Sequence, residues 1–270
     1  MNKYLATDLD GTLLYPKIKS RYVCKQNRDL VNKFNGNVII VSGRGKAFIN
    51  RVCKELNIEQ TYIGCNGAII CHKGKDIQVK FLDLVLVNEI IAYVKSNCSN
   101  YKIILFDKEG KLYSLSNDNQ SSSEQERAVL NNFPKHGYWT IKSANKINKL
   151  LSQNNSITKL DALISDEEKM KLYHYLINKK YSFSYAFCKA GLEFTAHNTS
   201  KGSSLKTLTE HMKINPNDVF VTGDEANDIS MLEAYQNSFL INHKNNLHLS
   251  NKAQYVVDNF KDIGNYIKED

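Results

Sequence analysis

The sequence predicts an α/β fold: a doubly wound, parallel-sheet (Rossmann-like) core with an α+β domain inserted into it. Three observations carry this. Short apolar runs alternate with amphipathic segments over residues 1–81. The alternation then breaks down and resumes near residue 190. In between, hairpin signals replace the strand–helix rhythm, which marks a separate module. The boundaries that follow are a core of 1–81 and 190–270 and an inserted domain of 82–189.

The elements follow in order. KYLATDLD is a buried strand over residues 3–8 that stops at the first aspartate. A helix over 27–35 has Asn27 as its expected N-cap, Leu30, Val31 and Phe34 on one face, and Gly36 at its end. NVIIVSGR is a second strand. Residues 45–57 carry Phe48, Val52 and Leu56 four apart, the spacing of an amphipathic helix. TYIG is a third strand, and AIICHKGKDIQVKF is a hairpin turning at Lys73-Gly74.

In the insert, residues 88–97 read as a helix and KIILFDKEGKLYSL as a hairpin turning at Glu109-Gly110. SNDNQSSSEQ is a loop. SITKLDALI is a strand, Glu167–Lys179 a helix, and strands follow near 182–188 and 192–196. The chain then returns to alternation. Lys201–Met212 is a helix, DVFVTGD a strand, Ala226–Ala234 a helix, SFLI and YVV short strands, and Asp262–Lys268 a last helix.

Composition narrows the function classes. A chain of 270 residues with 42% hydrophobic content, 3 prolines and a mean hydropathy of -0.43 has material for two soluble-type cores. The formal charge of +8 comes from lysines scattered along the chain, with no dense basic block and no interleaved aromatics. That argues against nucleic acid and suits a small anionic substrate. No apolar run is long enough for a bilayer, and Asp8 and Asp10 interrupt any signal-peptide pattern, so the expected compartment is the cytoplasm and no membrane partner is expected. The six cysteines form no CxxC pair and no zinc-finger spacing, so they are expected to be free thiols. Oligomeric state is not legible in the sequence.

The chemistry is concentrated in four stretches: DLDGT at 8–12, VSGR at 41–44, TSKGSSL around Lys201, and GDEANDISML at 223–232. Each polar cluster ends an apolar strand or opens a helix. In a doubly wound sheet the carboxyl ends of the strands are where ligands bind, so distant parts of the chain can meet there. Several carboxylates around one point are unfavourable unless a cation neutralises them. The donors on offer are oxygens, without histidine or cysteine, which points to a hard cation such as Mg²⁺. A lysine, a serine hydroxyl and N–H groups at helix starts suit phosphate oxygens. A carboxylate beside both can attack phosphorus and form an aspartyl-phosphate.

These four stretches, in this order, resemble the motifs of the haloacid dehalogenase-like (HAD) phosphohydrolase superfamily. The insert, with NGAII at 66–70 and LEFTAHNTSKG at 192–202, is similar to the Cof-like branch of sugar phosphatases with its C2-type cap. The resemblance implies a Mg²⁺-dependent phosphomonoesterase acting on a small phosphorylated metabolite, with the cap closing over the site. It implies Asp8 as nucleophile and Asp10 as general acid/base. It also implies a metal held by Asp8, the backbone carbonyl of Asp10, and Asp224, with Asp228 in support. Ser42, Gly43, Lys201 and Asn227 would hold the phosphoryl group. Arg44 and Asn66 are candidate substrate contacts, although Asn66 in GCNGA reads first as a tight-turn residue with positive φ. Of the histidines only His197, near the domain return, stands out, and Trp139 reads as core. A phosphotransferase or phosphomutase is the alternative on the same scaffold, and a non-catalytic phospho-ligand sensor ranks behind both.

Overall fold

The computed structural model describes residues 3–15, 22–117, 140–188 and 191–267. Trp139 and most of the SNDNQSSSEQ stretch lie outside these residues. The chain divides into two compact units, Met1–Gln78 with Thr199–Asp270, and Val79–Asn198.

In chain order, the first unit opens with β1 (Tyr4–Thr7), α1 (Lys25–Asn32), β2 (Val38–Val41), α2 (Lys46–Leu56), β3 (Tyr62–Gly64), β4 (Ile69–His72) and β5 (Lys75–Val79). The second unit runs α3 (Leu84–Asn97), β6 (Lys102–Asp107), β7 (Leu112–Ser116), β8 (Thr140–Ile141), α4 (Ala144–Leu151), β9 (Ile157–Leu163), α5 (Asp166–Asn178), β10 (Ser184–Cys188) and β11 (Gly191–Thr195). The first unit resumes with α6 (Lys201–His211), β12 (Val219–Gly223), α7 (Ile229–Leu232), β13 (Asn237–Ile241) and β14 (Tyr255–Val257). Several short 3₁₀ turns join these elements, among them Ala226–Asp228 and Phe260–Tyr266.

The first unit is built on an eight-stranded sheet in the order β14-β13-β12-β1-β2-β3-β4-β5. From β14 to β3 every pairing is parallel, and β4 turns back antiparallel on β3. The chain winds outward from β1 through β2 and β3 on one side, and from β12 through β13 and β14 on the other. The order therefore reverses between β1 and β12, the place in a doubly wound sheet where a crevice opens beyond the carboxyl ends of the strands. Strand residues alternate between two apolar layers. Ala6, Ile39, Val41, Val219 and Val221 pack with Leu205 and Leu208 of α6 and with Met231 and Leu232 of α7. On the opposite face Phe34, at the end of α1, meets Phe220 edge-on at 5.7 Å, and Phe220 stacks on Phe239 at 6.1 Å. Burial on both faces explains why these strands read as unbroken apolar runs.

The second unit carries a six-stranded sheet, β10-β11-β9-β6-β7-β8, antiparallel except for the β7–β8 pair. Helices α3, α4 and α5 supply Val87, Ile90, Val94, Ile147, Leu150, Leu172 and Leu176 to a core on one face, against Ile103, Leu105, Leu160, Ala162, Leu192 and Phe194. The intervening strand residues include a buried ion cluster, in which Lys159 meets Glu193 at 2.9 Å and Asp161 at 3.1 Å.

Several local features differ from the sequence expectations; the last expected helix, for one, is the 3₁₀ turn Phe260–Tyr266. Strand β11 pairs with β9, Glu193 opposite Asp161, so residues 191–198 belong to the second unit and not to the first. Leu192 and Phe194 are fully buried in that second core, which holds the strand there. Helix α1 starts earlier than expected: Cys24 is its N-cap, and Asn27 turns inward to donate to the carbonyls of Leu13 and Tyr15 at 2.9 and 2.8 Å. Helix α3 begins at Leu84, because Asp83 caps it by accepting from the Val85 N–H at 2.8 Å. All six cysteines are free thiols. No helix among the described residues is long and apolar enough to cross a membrane.

Candidate active site

Asp8 follows β1 directly, and Asp224 follows β12. Thr7 lies opposite Thr222 in the parallel ladder, and the Asp8 N–H donates to the Thr222 carbonyl at 2.9 Å. Register alone therefore brings the two aspartates side by side at the point where the strand order reverses. After Asp8 the backbone makes a wide turn. Asp10 is extended (φ -76, ψ 124), Gly11 has φ +83, and the Leu14 N–H closes the turn on the Leu9 carbonyl at 2.8 Å. Gly11 is required twice over. Its φ favours glycine, and a Cβ there would stand 2.1 Å from Asp224 Oδ2. Thr12 completes the contact by donating from its hydroxyl to Asp224 Oδ1 at 2.7 Å.

Asp8, Asp224 and Asp228 are all buried, and each can place one carboxylate oxygen within 4.8 Å of the others. Lys201, 1% exposed at the first turn of α6, donates to Asp8 Oδ1 at 2.7 Å and to Asp228 Oδ1 at 2.6 Å. Asp228 Oδ2 accepts the backbone N–H groups of Asp224 and Glu225 at 2.9 and 3.0 Å. Both oxygens of Asp228 are thus engaged, and this residue braces the loop after β12 and orients Lys201. Lysine reaches the cluster because α6 begins with a Ser200 N-cap and packs closely: a Cβ on Gly202 would lie 2.0 Å from the Ser230 carbonyl.

The electrostatics are unbalanced. Three carboxylates face one ammonium. Burial pushes the Asp8 carboxyl up to about 7; Lys201 opposes this and Asp228 adds to it. Burial, then Asp8 and Asp228, push the Asp224 carboxyl up to about 9, with the Thr12 hydrogen bond opposing. Burial draws the Lys201 pKa down, but Asp228 and Asp8 together outweigh it and hold the amine well above the ordinary lysine range. Such a site favours protons or a cation. Its oxygen-only donors and excess negative charge fit a hard divalent ion.

Asp10 stands apart from this cluster. Arg44 forks onto it, Nε to Oδ2 at 2.7 Å and Nη2 to Oδ1 at 2.8 Å, with the guanidinium carbon 5.1 Å from the Phe48 ring centroid. Arg44 follows β2 after Ser42 and Gly43, and the buried Ser42 hydroxyl oxygen accepts the Arg44 N–H at 3.2 Å. Arg44 is therefore turned toward the aspartate pair. Asn66 has φ 54 in a tight turn after β3, as the GCNGA pattern suggests, and its side-chain oxygen accepts from Asn227 Nδ2 at 3.2 Å.

Among the described residues, His243 and Asn246, which lie in none of the four motifs, also reach the site. His243 Nε2 lies 2.8 Å from the Gly11 carbonyl and 3.6 Å from Asp224 Oδ2. Asn246, buried, donates to the carbonyls of Asp224 and Ile241 at 2.8 and 2.9 Å. Nothing in SFLINHKNN signals this, because a polar loop after a strand is ordinary. His197, the histidine that drew attention in the sequence, is exposed in the second unit.

Comparison with known proteins agrees with this architecture. A protein of Mycoplasma capricolum described only as uncharacterized is 28% identical over 97% of this chain and 99% of its own length. The Bacillus subtilis protein named 5-amino-6-(5-phospho-D-ribitylamino)uracil phosphatase YwtE is 25% identical over 86% of this chain and 84% of its own. Among solved structures, TM0651 from Thermotoga maritima superposes with a TM-score of 0.75 at 22% identity, covering 100% of this chain and 99% of that one. Residues 5–265 match the haloacid dehalogenase-like hydrolase family model, nearly the whole chain, with the four motifs at the carboxyl edge of its parallel sheet; the chain belongs to that family of hydrolases.

Proposed function

We propose that the chain is a Mg²⁺-dependent phosphomonoesterase that hydrolyses a small phosphorylated metabolite through an aspartyl-phosphate. The observation that carries this reading is the meeting of Asp8, Asp224, Asp228 and Lys201 at the β1–β12 crevice, with Asp10 held just outside by Arg44. The name of the Bacillus subtilis relative, a phosphatase of a phosphoribityl compound, supports a sugar-phosphate-like substrate.

In this reading Asp8 and Asp224, with the Asp10 backbone carbonyl, would hold the cation and Asp228 would brace them. The bound ion supplies the positive charge that lets an anionic carboxylate approach an anionic phosphate. Asp8 attacks phosphorus: a bond from its carboxylate oxygen forms as the bond to the leaving oxygen breaks. Asp10 delivers a proton to that leaving oxygen. Water then attacks the aspartyl-phosphate, Asp10 takes the water's proton, and the Asp8–phosphorus bond breaks to release inorganic phosphate. Lys201, Ser42 and Asn227, with the N–H of Gly43, steady the transferring group's oxygens. Arg44 fixes the direction of the Asp10 carboxyl through its two-pronged contact.

The test is phosphate release from a panel of phosphorylated sugars and sugar alcohols with Mg²⁺, by the wild type and by Asp8→Asn. Turnover by the wild type and its loss in a folded Asp8→Asn protein is expected. Full activity of Asp8→Asn would overturn the covalent route.

A further inference from the structure

We propose that the loop after β13 is a clamp on the two acid-bearing turns, and that His243 is its positioning residue, setting how tightly the site takes a divalent cation. The inference rests on the reading of Asp8 and Asp224 as cation ligands. It adds a residue that lies outside all four motifs.

The loop reaches both turns within four residues. Asn246 ties its backbone to the site by donating to the Asp224 carbonyl at 2.8 Å. It also shapes the loop itself, since the His243 N–H donates to Asn246 Oδ1 at 2.8 Å and the Asn246 N–H returns to the His243 carbonyl at 3.0 Å. His243 then extends from this fixed base to the other turn. The Gly11 carbonyl can only accept, so Nε2 carries the hydrogen and donates it across 2.8 Å. Asp224 Oδ2, 3.6 Å from the same nitrogen, is too distant to take it. Tyr15 packs edge-on against the imidazole at 4.7 Å and holds its plane.

Gly11 is a consequential place to hold. It is the point where the β1 turn lies against Asp224, so close that a Cβ would stand 2.1 Å from Oδ2. Fixing the Gly11 carbonyl fixes the spacing between the turn that carries Asp8 and Asp10 and the loop that carries Asp224. Charge repulsion among the buried carboxylates pushes these segments apart, and a directional hydrogen bond across the two turns resists that. The side chain of His243 is 23% exposed, so removing it opens no sealed cavity. Asn246 is buried with three side-chain hydrogen bonds, and its loss would disturb the fold.

The experiment uses the full chain and Mn²⁺ as the probe, with free Mn²⁺ read by electron paramagnetic resonance and the melting temperature read in EDTA. His243→Ala should weaken Mn²⁺ binding about fivefold, the worth of one hydrogen bond, at an unchanged melting temperature. His243→Gln, whose amide nitrogen can donate from the same reach as Nε2, should restore it; His243→Leu should not. Asp224→Asn is the control for the cation site and should lose binding. If Asp224→Asn loses Mn²⁺ while His243→Ala binds it like the wild type, the clamp is overturned and the cation site stands. If His243→Gln fails to rescue and the melting temperature falls with affinity, the role is merely structural and the proposal fails. If the wild type binds no Mn²⁺, the reading of the site falls and this inference with it.

Discussion

Replacing Asp224 by asparagine should make the cation-free protein more stable while removing its function. The Asp224 carboxyl is pushed from 3.8 up to about 9 by burial and by its two acidic neighbours. Between those values the folded chain holds a proton that the unfolded chain releases, so stability falls as pH rises across that window. At pH 8 the full shift corresponds to about 6 kcal/mol, at ~1.4 kcal/mol for each pH unit above the ordinary value; at pH 5 it is about 2 kcal/mol. Asp8, pushed up to about 7, shares the same cluster, so part of this relaxes into its titration when Asp224 changes. Halving the figure leaves ~3 kcal/mol at pH 8, a rise in melting temperature of roughly 6–12 °C for a chain of this size. Asparagine keeps an oxygen for the Thr12 hydroxyl, which now sits on Asp224 Oδ1 at 2.7 Å. The assay is thermal melting of both proteins in EDTA at pH 5 and pH 8. Mg²⁺ should then stabilise the wild type and leave Asp224→Asn unmoved. A variant that melts at or below the wild type at pH 8, or a gap that fails to widen from pH 5 to pH 8, would refute the electrostatic account.

Other substitutions probe the remaining contacts. Gly11→Ala forces a Cβ to 2.1 Å from Asp224 Oδ2 at a φ of +83, so it should cost about 1–2 kcal/mol in backbone strain alone and weaken divalent-ion binding, read by melting and by titration calorimetry. Lys201→Met leaves Asp8 and Asp228 without their shared ammonium; loss of activity and a destabilisation of about 3–5 kcal/mol by denaturant unfolding are expected. Arg44→Lys cannot reproduce the two-pronged grip on Asp10, so phosphate release should show a lower kcat with little change in KM, and a wild-type kcat would argue against that role.

Local features were legible in the order of residues alone. The alternation of apolar runs and amphipathic segments reports strands buried on both faces and helices buried on one, so the doubly wound core was legible. The motifs were legible because polar residues stand abruptly at strand ends: Asp8 after YLAT, Ser42 after VIIV, Asp224 after VFVTG. Partnership emerged only once the chain was folded. GLEFT reads as a strand, but nothing local says which sheet it joins; burial of Leu192 and Phe194 beside Leu160 and Ala162 assigns it to the second unit. Arg44 could face outward or inward from its turn, and Asp10 settles it. His243 and Asn246 carry no motif, because their contacts are tertiary: His243 meets Gly11 across 232 residues and Asn246 meets Asp224 across 22. Thr12 and Asp224 are 212 residues apart, yet they share a hydrogen bond because β1 and β12 pair in parallel. Propensity and periodicity act over a few residues. Contact across the sheet depends on register, and register is fixed only when the whole core packs.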